Sequence, residues 1–264
     1  MMKLGFIGAG VMAESIFSSA LRGGAVTPDC LMVSDIREEH LAALRSKYGI
    51  LTSTDNAEVV AWADMLVLAV KPFVCDAVLD GLGDALSGKA VVSIMAGWDR
   101  DRLETAMPED CRILRVMPNT PAMVGCGMTV LFTNHSLAAD EYDFAKHMFE
   151  TCGQVAELEE RLCNAVIGIS GSGPAYVFEF INALANGGVQ QGIPKAAALQ
   201  LAVQTVLGAA EMVQQTGEHP AVLRDRVCTP GGTTIEAMYA LDKAGFAGTV
   251  MEAVQVCAQK AARV

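Results

Sequence analysis

The chain is poor in the residues that grip metal, membrane or nucleic acid. Its 264 residues include 4 histidines, 2 tryptophans and 4 tyrosines, and 19 Lys and Arg stand against 30 Asp and Glu for a net charge of −11. His40, His135, His147 and His219 show no ligand spacing with one another or with cysteine, so no metal site is expected. The cysteines at 30, 75, 111, 126, 152, 163, 228 and 257 form no C-x-x-C pair and read as reduced, small apolar residues. The deficit of positive charge argues against a nucleic-acid footprint and against attraction to an acidic membrane surface, so an anionic ligand has to be held locally. No stretch reaches the ~18 uninterrupted apolar residues of a membrane span. The apolar opening is broken by glycine too early to be the core of a signal peptide. The expectation is a cytoplasmic protein with neither a membrane nor a nucleic-acid partner.

What is abundant is small and apolar: 52% hydrophobic residues and 25 glycines, the composition of a helix-rich α/β protein. The chain opens on a short apolar run, Leu4 to Ile7, followed by Gly8, Gly10 and Ala13 in G-x-G-x-x-A register and then by Val11, Ile16 and Leu21 at helical spacing. That is the entry to a dinucleotide-binding βαβ unit. Gly8 makes the tight turn, Gly10 admits a pyrophosphate and Ala13 permits close helix packing, with Ala9, Val11 and Met12 at the helix start. The plainer reading is a glycine-rich turn of any α/β protein.

The first half then repeats strand and helix. Strands are expected at Leu31 to Ser34, Met65 to Val70, Ala90 to Ile94, Arg112 to Met117, Met128 to Thr133 and Gln154 to Glu157, with helices at Glu38 to Tyr48 and Ala138 to Thr151. This pattern implies a Rossmann-like, doubly wound parallel sheet over residues 1–158, with ligands beyond the carboxyl ends of its strands. After the second strand, Asp35 suits a ribose 2′-hydroxyl, whereas Ser34 and Arg37 suit a 2′-phosphate; a helix-capping turn is the plainer alternative. Ala69, Val70, Lys71 and Pro72 follow the buried strand, where Lys71 is either beside a cofactor or simply solvated. Ala96 belongs to a small-residue loop with room for a flat ring. Asn119 and Pro121 sit in a proline-bracketed turn, and Asn56 is either a helix start or an adenosine contact.

From Glu159 strand patterns vanish, so residues 159–264 are expected to be all-helical. Ser170 to Pro174 should break a helix, the next should stop at Gly187 and Gly188, and long helices should follow from Pro194 to Gly217 and from Thr229–Thr234 to about Ala244. Leu199, Leu201, Val203, Val206, Leu207, Met212 and Val213 exceed what a lone bundle needs, which points to a helical dimer interface.

Five segments together resemble the pyrroline-5-carboxylate reductase family over essentially the whole length. They are the glycine loop at Gly8, Ala69 to Pro72, Arg115 to Pro121, Gly168 to Tyr176 and Thr229 to Ile235. The resemblance implies hydride transfer from NADPH, or NADH, to the C=N bond of Δ1-pyrroline-5-carboxylate, giving L-proline. It assigns the coenzyme to the loop residues named above and the small-molecule substrate to Ser172, Gly173, Thr229, Gly231, Gly232, Thr233 and Thr234. The amides at Gly231 to Thr234 would hold the substrate carboxylate, and the Thr234 hydroxyl would serve the ring nitrogen as proton donor or as hydrogen-bond partner, a threonine being a poor acid and so better suited to orienting it. It further implies a homodimer through the C-terminal helices, with dimers assembling into decamers and the Thr229–Thr234 turn completing a site with the partner subunit. Asp35 departs from the family's habit of favouring NADPH at that place. The rivals are a β-hydroxyacid dehydrogenase or imine reductase, which would carry a catalytic lysine unlike Lys195, and a non-enzymatic dinucleotide sensor.

Overall fold

The computed structural model describes residues 2–263. They form two compact units: one comprising residues up to Ser172 together with those from Cys257 on, the other Gly173–Val256.

The first unit is an eight-stranded sheet. In chain order its elements are β1 (Leu4–Ile7), α1 (Val11–Arg22), β2 (Leu31–Ser34), α2 (Glu38–Tyr48), β3 (Leu51–Ser53), α3 (Asn56–Trp62), β4 (Met65–Leu68), α4 (Cys75–Leu82), β5 (Ala90–Ser93), α5 (Arg100–Ala106), β6 (Arg112–Met117), β7 (Gly127–Phe132), α6 (Ala139–Glu150), β8 (Gly153–Leu158) and α7 (Cys163–Val166). The strand order is β3-β2-β1-β4-β5-β6-β7-β8. Strands β1, β2, β4 and β5 are buried at every position, which requires cover on both faces and explains their unbroken apolar runs. Alternation divides their side chains between two cores. Leu4, Phe6, Val33 and Val67 meet Ile16, Phe17, Leu41 and Phe149 on one face. Ile7, Leu66, Leu68 and Val91 meet Val59, Leu79, Trp98 and Leu103 on the other.

The sheet departs from the all-parallel expectation at one place, where β7 runs antiparallel to β6 through the pairs Val116 with Leu131 and Met117 with Val130. The connection between them holds only a short helical turn at Thr120–Val124, too little for the crossover that a parallel neighbour needs. Strand β3 and helices α3, α4 and α5 lie below the length at which hydrophobic periodicity identifies an element. Sequence reading misses β3 and α5, whereas α3 does begin at Asn56, one of whose two readings is a helix start, and α4 follows the turn opened by Pro72.

The second unit contains α8 (Gly173–Gln190), α9 (Lys195–Thr216), α10 (Pro220–Val227), α11 (Thr233–Lys243) and most of α12 (Phe246–Ala261). Helix α10 was not foreseen. Two expected interruptions are different in kind from what glycine and proline suggest. Residues Ile167–Gly171 form a π turn, with the Ser172 N–H donating to the Ile167 carbonyl at 2.8 Å, and Pro174 falls in the first turn of α8, where a missing N–H costs nothing. Helix α8 continues through Gly187 and Gly188 to Gln190. A Cβ on Gly188 would lie 3.3 Å from the Ala198 Cβ of α9, so close helix packing overrides the intrinsic cost of the glycine. Ala185, Ala198 and Ala202 form the small core of this pair. The other faces are open: Leu199, Leu201, Val203, Leu207 and Met212 are each about half exposed.

Backbone geometry marks Gly153 as irreplaceable. It pairs with Gly127 across β7 and β8, has φ +141°, and an added Cβ would collide with the Gly127 backbone. Gly153→Ala should therefore destabilise the protein by ~2 kcal/mol or more, through strain plus displacement of the β7–β8 ladder. Thermal or urea unfolding checks this, and a wild-type midpoint would refute it.

Candidate functional site

The loop after β1 is shaped by two strand neighbours at once. The Gly8 N–H continues the ladder to the Ser34 carbonyl at 3.0 Å, and the Ala69 N–H donates to the Ile7 carbonyl at 2.9 Å. Between them Gly8 takes φ +100°, and a Cβ there would come within 2.8 Å of the Ala69 carbonyl oxygen. No other residue type fits. Two residues on, Gly10 caps α1 without any side-chain cap, so the first amides of that helix, at Val11 and Met12, have no intrahelical partner. No atom lies within 4 Å of the place a Gly10 Cβ would occupy, leaving open space at the positive end of the helix. A pyrophosphate fits such a cradle.

Behind this loop stands a charged pair. Asp35, its side chain 11% exposed, takes the Arg37 guanidinium through Nε at 2.8 Å and Nη2 at 2.9 Å. Its carboxylate also accepts the backbone N–H of Arg37 at 3.0 Å and that of Ala9 at 3.2 Å. The hydrogen bond from Arg37 holds the Asp35 carboxyl down at about 2 against the opposing effect of burial. Ser34 has no exposed surface. Its hydroxyl lies 2.7 Å from Asn56 Oδ1 and 3.2 Å from the Phe6 carbonyl, so it fixes Asn56 and cannot itself reach a phosphate. His40, which no sequence signal singles out, places Nε2 at 2.7 Å from the Ala9 carbonyl.

The remaining loops line the same edge of the sheet. Ala69, Val70 and Pro72 are half-buried, while Lys71 and Ala96 are exposed. The Pro72 carbonyl accepts the indole N–H of buried Trp98 at 3.2 Å, which pins this loop. Asn56 borders a cleft of about 360 Å³ that also involves Thr54, Asp55, Val74, Val78 and Leu82. Pro121 is half-buried, whereas Asn119 is 7% exposed and occupied at both ends, donating to the Ser170 carbonyl at 3.0 Å and accepting the Met128 N–H at 2.8 Å. Asn119 thus braces the π turn. Ser172, just beyond that turn, accepts the Cys257 thiol proton at 3.2 Å.

In the second unit Gly173 is buried, with no neighbour near a hypothetical Cβ. The segment Thr229 to Thr234 forms a tight turn. Gly231 has φ +66°, and the Gly232 N–H donates back to the Thr229 carbonyl at 3.0 Å. Gly232 caps α11, and a Cβ on it would run into the Thr229 hydroxyl. With the Gly232 amide engaged in the turn, the N–H groups open at this helix start are those of Thr233 and Thr234. Lys195 does have an asparagine partner, Asn186 Oδ1 at 2.5 Å, although that residue lies nine positions upstream on α8. Among the described residues no group of histidine, cysteine and carboxylate side chains could hold a metal ion.

Comparison with known proteins finds relatives over nearly the whole chain. A family described as pyrroline-5-carboxylate reductase dimerisation matches residues 160–264, and one described as NADP oxidoreductase, coenzyme F420-dependent, matches residues 3–97. The chain is 44% identical over 253 residues to the pyrroline-5-carboxylate reductase of Synechocystis sp., spanning 96% of this chain and 94% of that protein. It is similar to the solved structure of a pyrroline-5-carboxylate reductase from Coxiella burnetii, with a TM-score of 0.92, 33% identity and coverage of 99% and 98%. A Plasmodium falciparum pyrroline carboxylate reductase with NADP bound matches with a TM-score of 0.89 and 30% identity, covering 98% and 97% of the two chains.

The empty surroundings of Gly10 make a clean experiment possible. Gly10→Val has room to fold without clash but fills the cradle, so it should retain the wild-type melting temperature and lose coenzyme binding by ~100-fold or more. Titration of coenzyme by fluorescence measures the effect. Normal affinity would show that the loop is not a coenzyme site.

Proposed function

The chain belongs to the pyrroline-5-carboxylate reductase family, and from that premise we infer how its residues divide the work of reducing Δ1-pyrroline-5-carboxylate to L-proline. It is an NAD(P)H-dependent oxidoreductase acting on a C=N bond. We assign coenzyme binding to residues 1–158 and substrate binding and dimerisation to residues 159–264. The observation that carries the coenzyme assignment is the unfilled space at Gly10, beside free amides at the start of α1.

When bound, the reduced nicotinamide supplies a hydride from its C4 to the imine carbon, and the ring nitrogen ends with a proton. The protein's part is placement and electrostatics. Gly8, Ala9, Gly10, Val11 and Met12 hold the pyrophosphate; Asp35 and Arg37 face the adenosine ribose; Asn56, steadied by Ser34, borders the cleft on that side. Ala69 to Pro72, Ala96 and Pro121 line the remainder of the coenzyme's path, with Asn119 acting through its brace on the π turn. The Thr233 and Thr234 amides hold the substrate carboxylate, Gly232 keeps their turn closed, and Ser172 and Gly173 shape the substrate's surroundings. The Thr234 hydroxyl hydrogen-bonds the ring nitrogen. A threonine hydroxyl is a poor acid at neutral pH, so its role is to orient the imine while water delivers the proton.

A homodimer through the C-terminal helices gives cover to the open faces of α8 to α12, and its assembly into decamers is the further step that the family resemblance implies. Helix α9 is long and apolar enough to cross a membrane by length and composition. Yet Gln200, Gln204, Glu211 and Gln215 fall within about 60° of one another around it, a polar edge that suits a protein interface bordered by water better than lipid on all sides. All eight cysteines are free thiols, which suits a cytoplasmic enzyme.

Coenzyme choice follows from the Asp35–Arg37 pair. Four donors already fill the Asp35 carboxylate, so a ribose 2′-hydroxyl has to displace Arg37, and a 2′-phosphate has to win Arg37 from Asp35. Asp35→Ala should raise the ratio of kcat/KM for NADPH over NADH by ~10-fold, and Arg37→Ala should lower it by a similar factor. Because the Asp35 carboxyl stays ionised down to about 2, its own titration adds no pH dependence to that ratio in the neutral range. Initial rates with the two coenzymes decide this, and an unchanged ratio in both variants would remove the pair from coenzyme selection.

The reaction itself has a direct test. The purified protein should oxidise NADPH or NADH only when Δ1-pyrroline-5-carboxylate is present, and Thr234→Ala should lower kcat by ~10-fold or more with little change in coenzyme affinity. Turnover with other cyclic imines or with β-hydroxyacids but none with pyrroline-5-carboxylate would favour the imine reductase or dehydrogenase reading. Coenzyme binding without any turnover would favour a sensor.

A further inference from the structure

Ala9 is held from both sides. Its N–H donates to Asp35 Oδ2 at 3.2 Å, and its carbonyl faces His40 Nε2 at 2.7 Å. A carbonyl oxygen only accepts, so Nε2 carries the proton, whether the ring is the Nε2–H tautomer or the cation. The Ala9 carbonyl and the Gly10 N–H belong to one planar peptide, and the described chain has no cis bond, so these two groups point in opposite directions. Fixing one aims the other. Ala9 is 1% exposed, whereas no atom lies within 4 Å of the Gly10 Cβ position. The loop therefore has a gripped residue next to an unencumbered one, and the grip comes from α2, an element outside the glycine motif.

We propose that His40 is a positioning residue of the coenzyme loop: by holding the Ala9 carbonyl it orients the Gly10 amide as a ready-made donor for the pyrophosphate. This rests on the reading of the Gly8–Gly10 loop as the coenzyme site. A glycine-flanked peptide has two soft torsions on its Gly10 side, and without a partner for the Ala9 carbonyl that peptide plane is free to rotate. Binding would then carry the cost of ordering it, which a pre-oriented loop avoids. Asp35 does the corresponding work on the preceding peptide. The arrangement gives His40 an effect on the part common to both coenzymes, in contrast to Arg37, which acts on the part that distinguishes them.

The test uses the full-length oligomer and three variants. His40→Phe keeps the ring's bulk and deletes the donor, His40→Gln restores an N–H donor on a flexible stem, and Gly10→Val is the reference for loss of the loop. Dissociation constants are measured for NADPH, NADH, ADP and 2′-AMP, together with kcat, KM for pyrroline-5-carboxylate and the melting temperature. His40→Phe should weaken NADPH, NADH and ADP alike by about tenfold, the worth of roughly one hydrogen bond with its ordering cost, while 2′-AMP and kcat at saturating coenzyme change little. His40→Gln should recover most of the loss. Wild-type affinity in His40→Phe, while Gly10→Val has lost coenzyme, overturns this inference alone. Normal binding by Gly10→Val overturns the loop reading and this inference with it. Equal losses in the Phe and Gln variants, or a loss confined to NADPH, would also overturn it, since neither follows from a missing carbonyl partner. Should His40→Phe melt early, His40→Leu takes its place under the same criteria.

Discussion

The contact on which the site depends is the approach of Gly8 to the Ala69 carbonyl oxygen, 2.8 Å from where a side chain would begin. Strand β1 lies in the middle of the sheet, paired on one side with β2 and on the other with β4, so the chain leaving it has to turn at once between two backbones. The strand order reverses direction there, and that reversal opens the crevice in which a dinucleotide can lie. Glycine at position 8 is the concession that lets the strand be central and still feed a helix directly. The loops after β2 and β4 are drawn to the same edge by the ladder itself, through the Gly8 amide on Ser34 and the Ala69 amide on Ile7. The gathering of these loops at one edge of the first unit is thus a by-product of parallel pairing.

A second constraint is charge. The protein carries a net charge of −11, yet its coenzyme and its substrate are both anions. Long-range attraction is the wrong sign, but beyond about 8 Å it is largely screened at physiological salt, and what binds has to be local. The starts of α1 and α11 offer backbone amides without a side-chain cap, and Arg37, in the loop after β2, is already paired with Asp35. Amides carry no proton that titrates in the working range. Recognition by dipoles, as proposed above, adds no titrating group of the protein's own to the binding of either anion.

How much of this was legible in the sequence depends on the length over which each signal is written. The glycine register, the fully buried strands and the helices α2, α6, α9 and α11 all announce themselves, because each rests on several residues of one type at a fixed period. Strand β3, with one buried residue among Leu51, Thr52 and Ser53, has no period to show. The antiparallel turn into β7 depends on the brevity of a loop, which hydrophobic pattern does not weigh. At the site, the settings of Gly8, a tight turn, and of Gly10, an open helix start, could be read from spacing. Those of Ser34, Asn119 and His40 could not: whether a polar side chain faces ligand or backbone is decided by partners far away in the chain, Asn56, Ser170 and Ala9 respectively. Ser34 and Asn119 have the residue types of ligand contacts and are spent inside the protein.

The same reasoning explains why the π turn could be mistaken for a helix break. Ser170, Gly171, Ser172, Gly173 and Pro174 are individually poor helix residues, and a sum of propensities ends the helix there. The chain instead widens by one residue, Ser172 reaching back to Ile167, while Asn119 holds the Ser170 carbonyl from the loop after β6. In an α-helix the Ser170 carbonyl would be met by the N–H of residue 174, which is proline and has none; the Asn119 side-chain amide donates to that carbonyl instead. Both serine hydroxyls are half-buried and engaged, Ser170 donating to the Val166 carbonyl at 3.1 Å and Ser172 accepting from Cys257. A segment that looks like a defect in a helix is, on that account, a helix opened by one residue at the cost of a buried asparagine. That explains why a polar residue with 7% exposure sits in the loop after the longest buried strand of the parallel sheet.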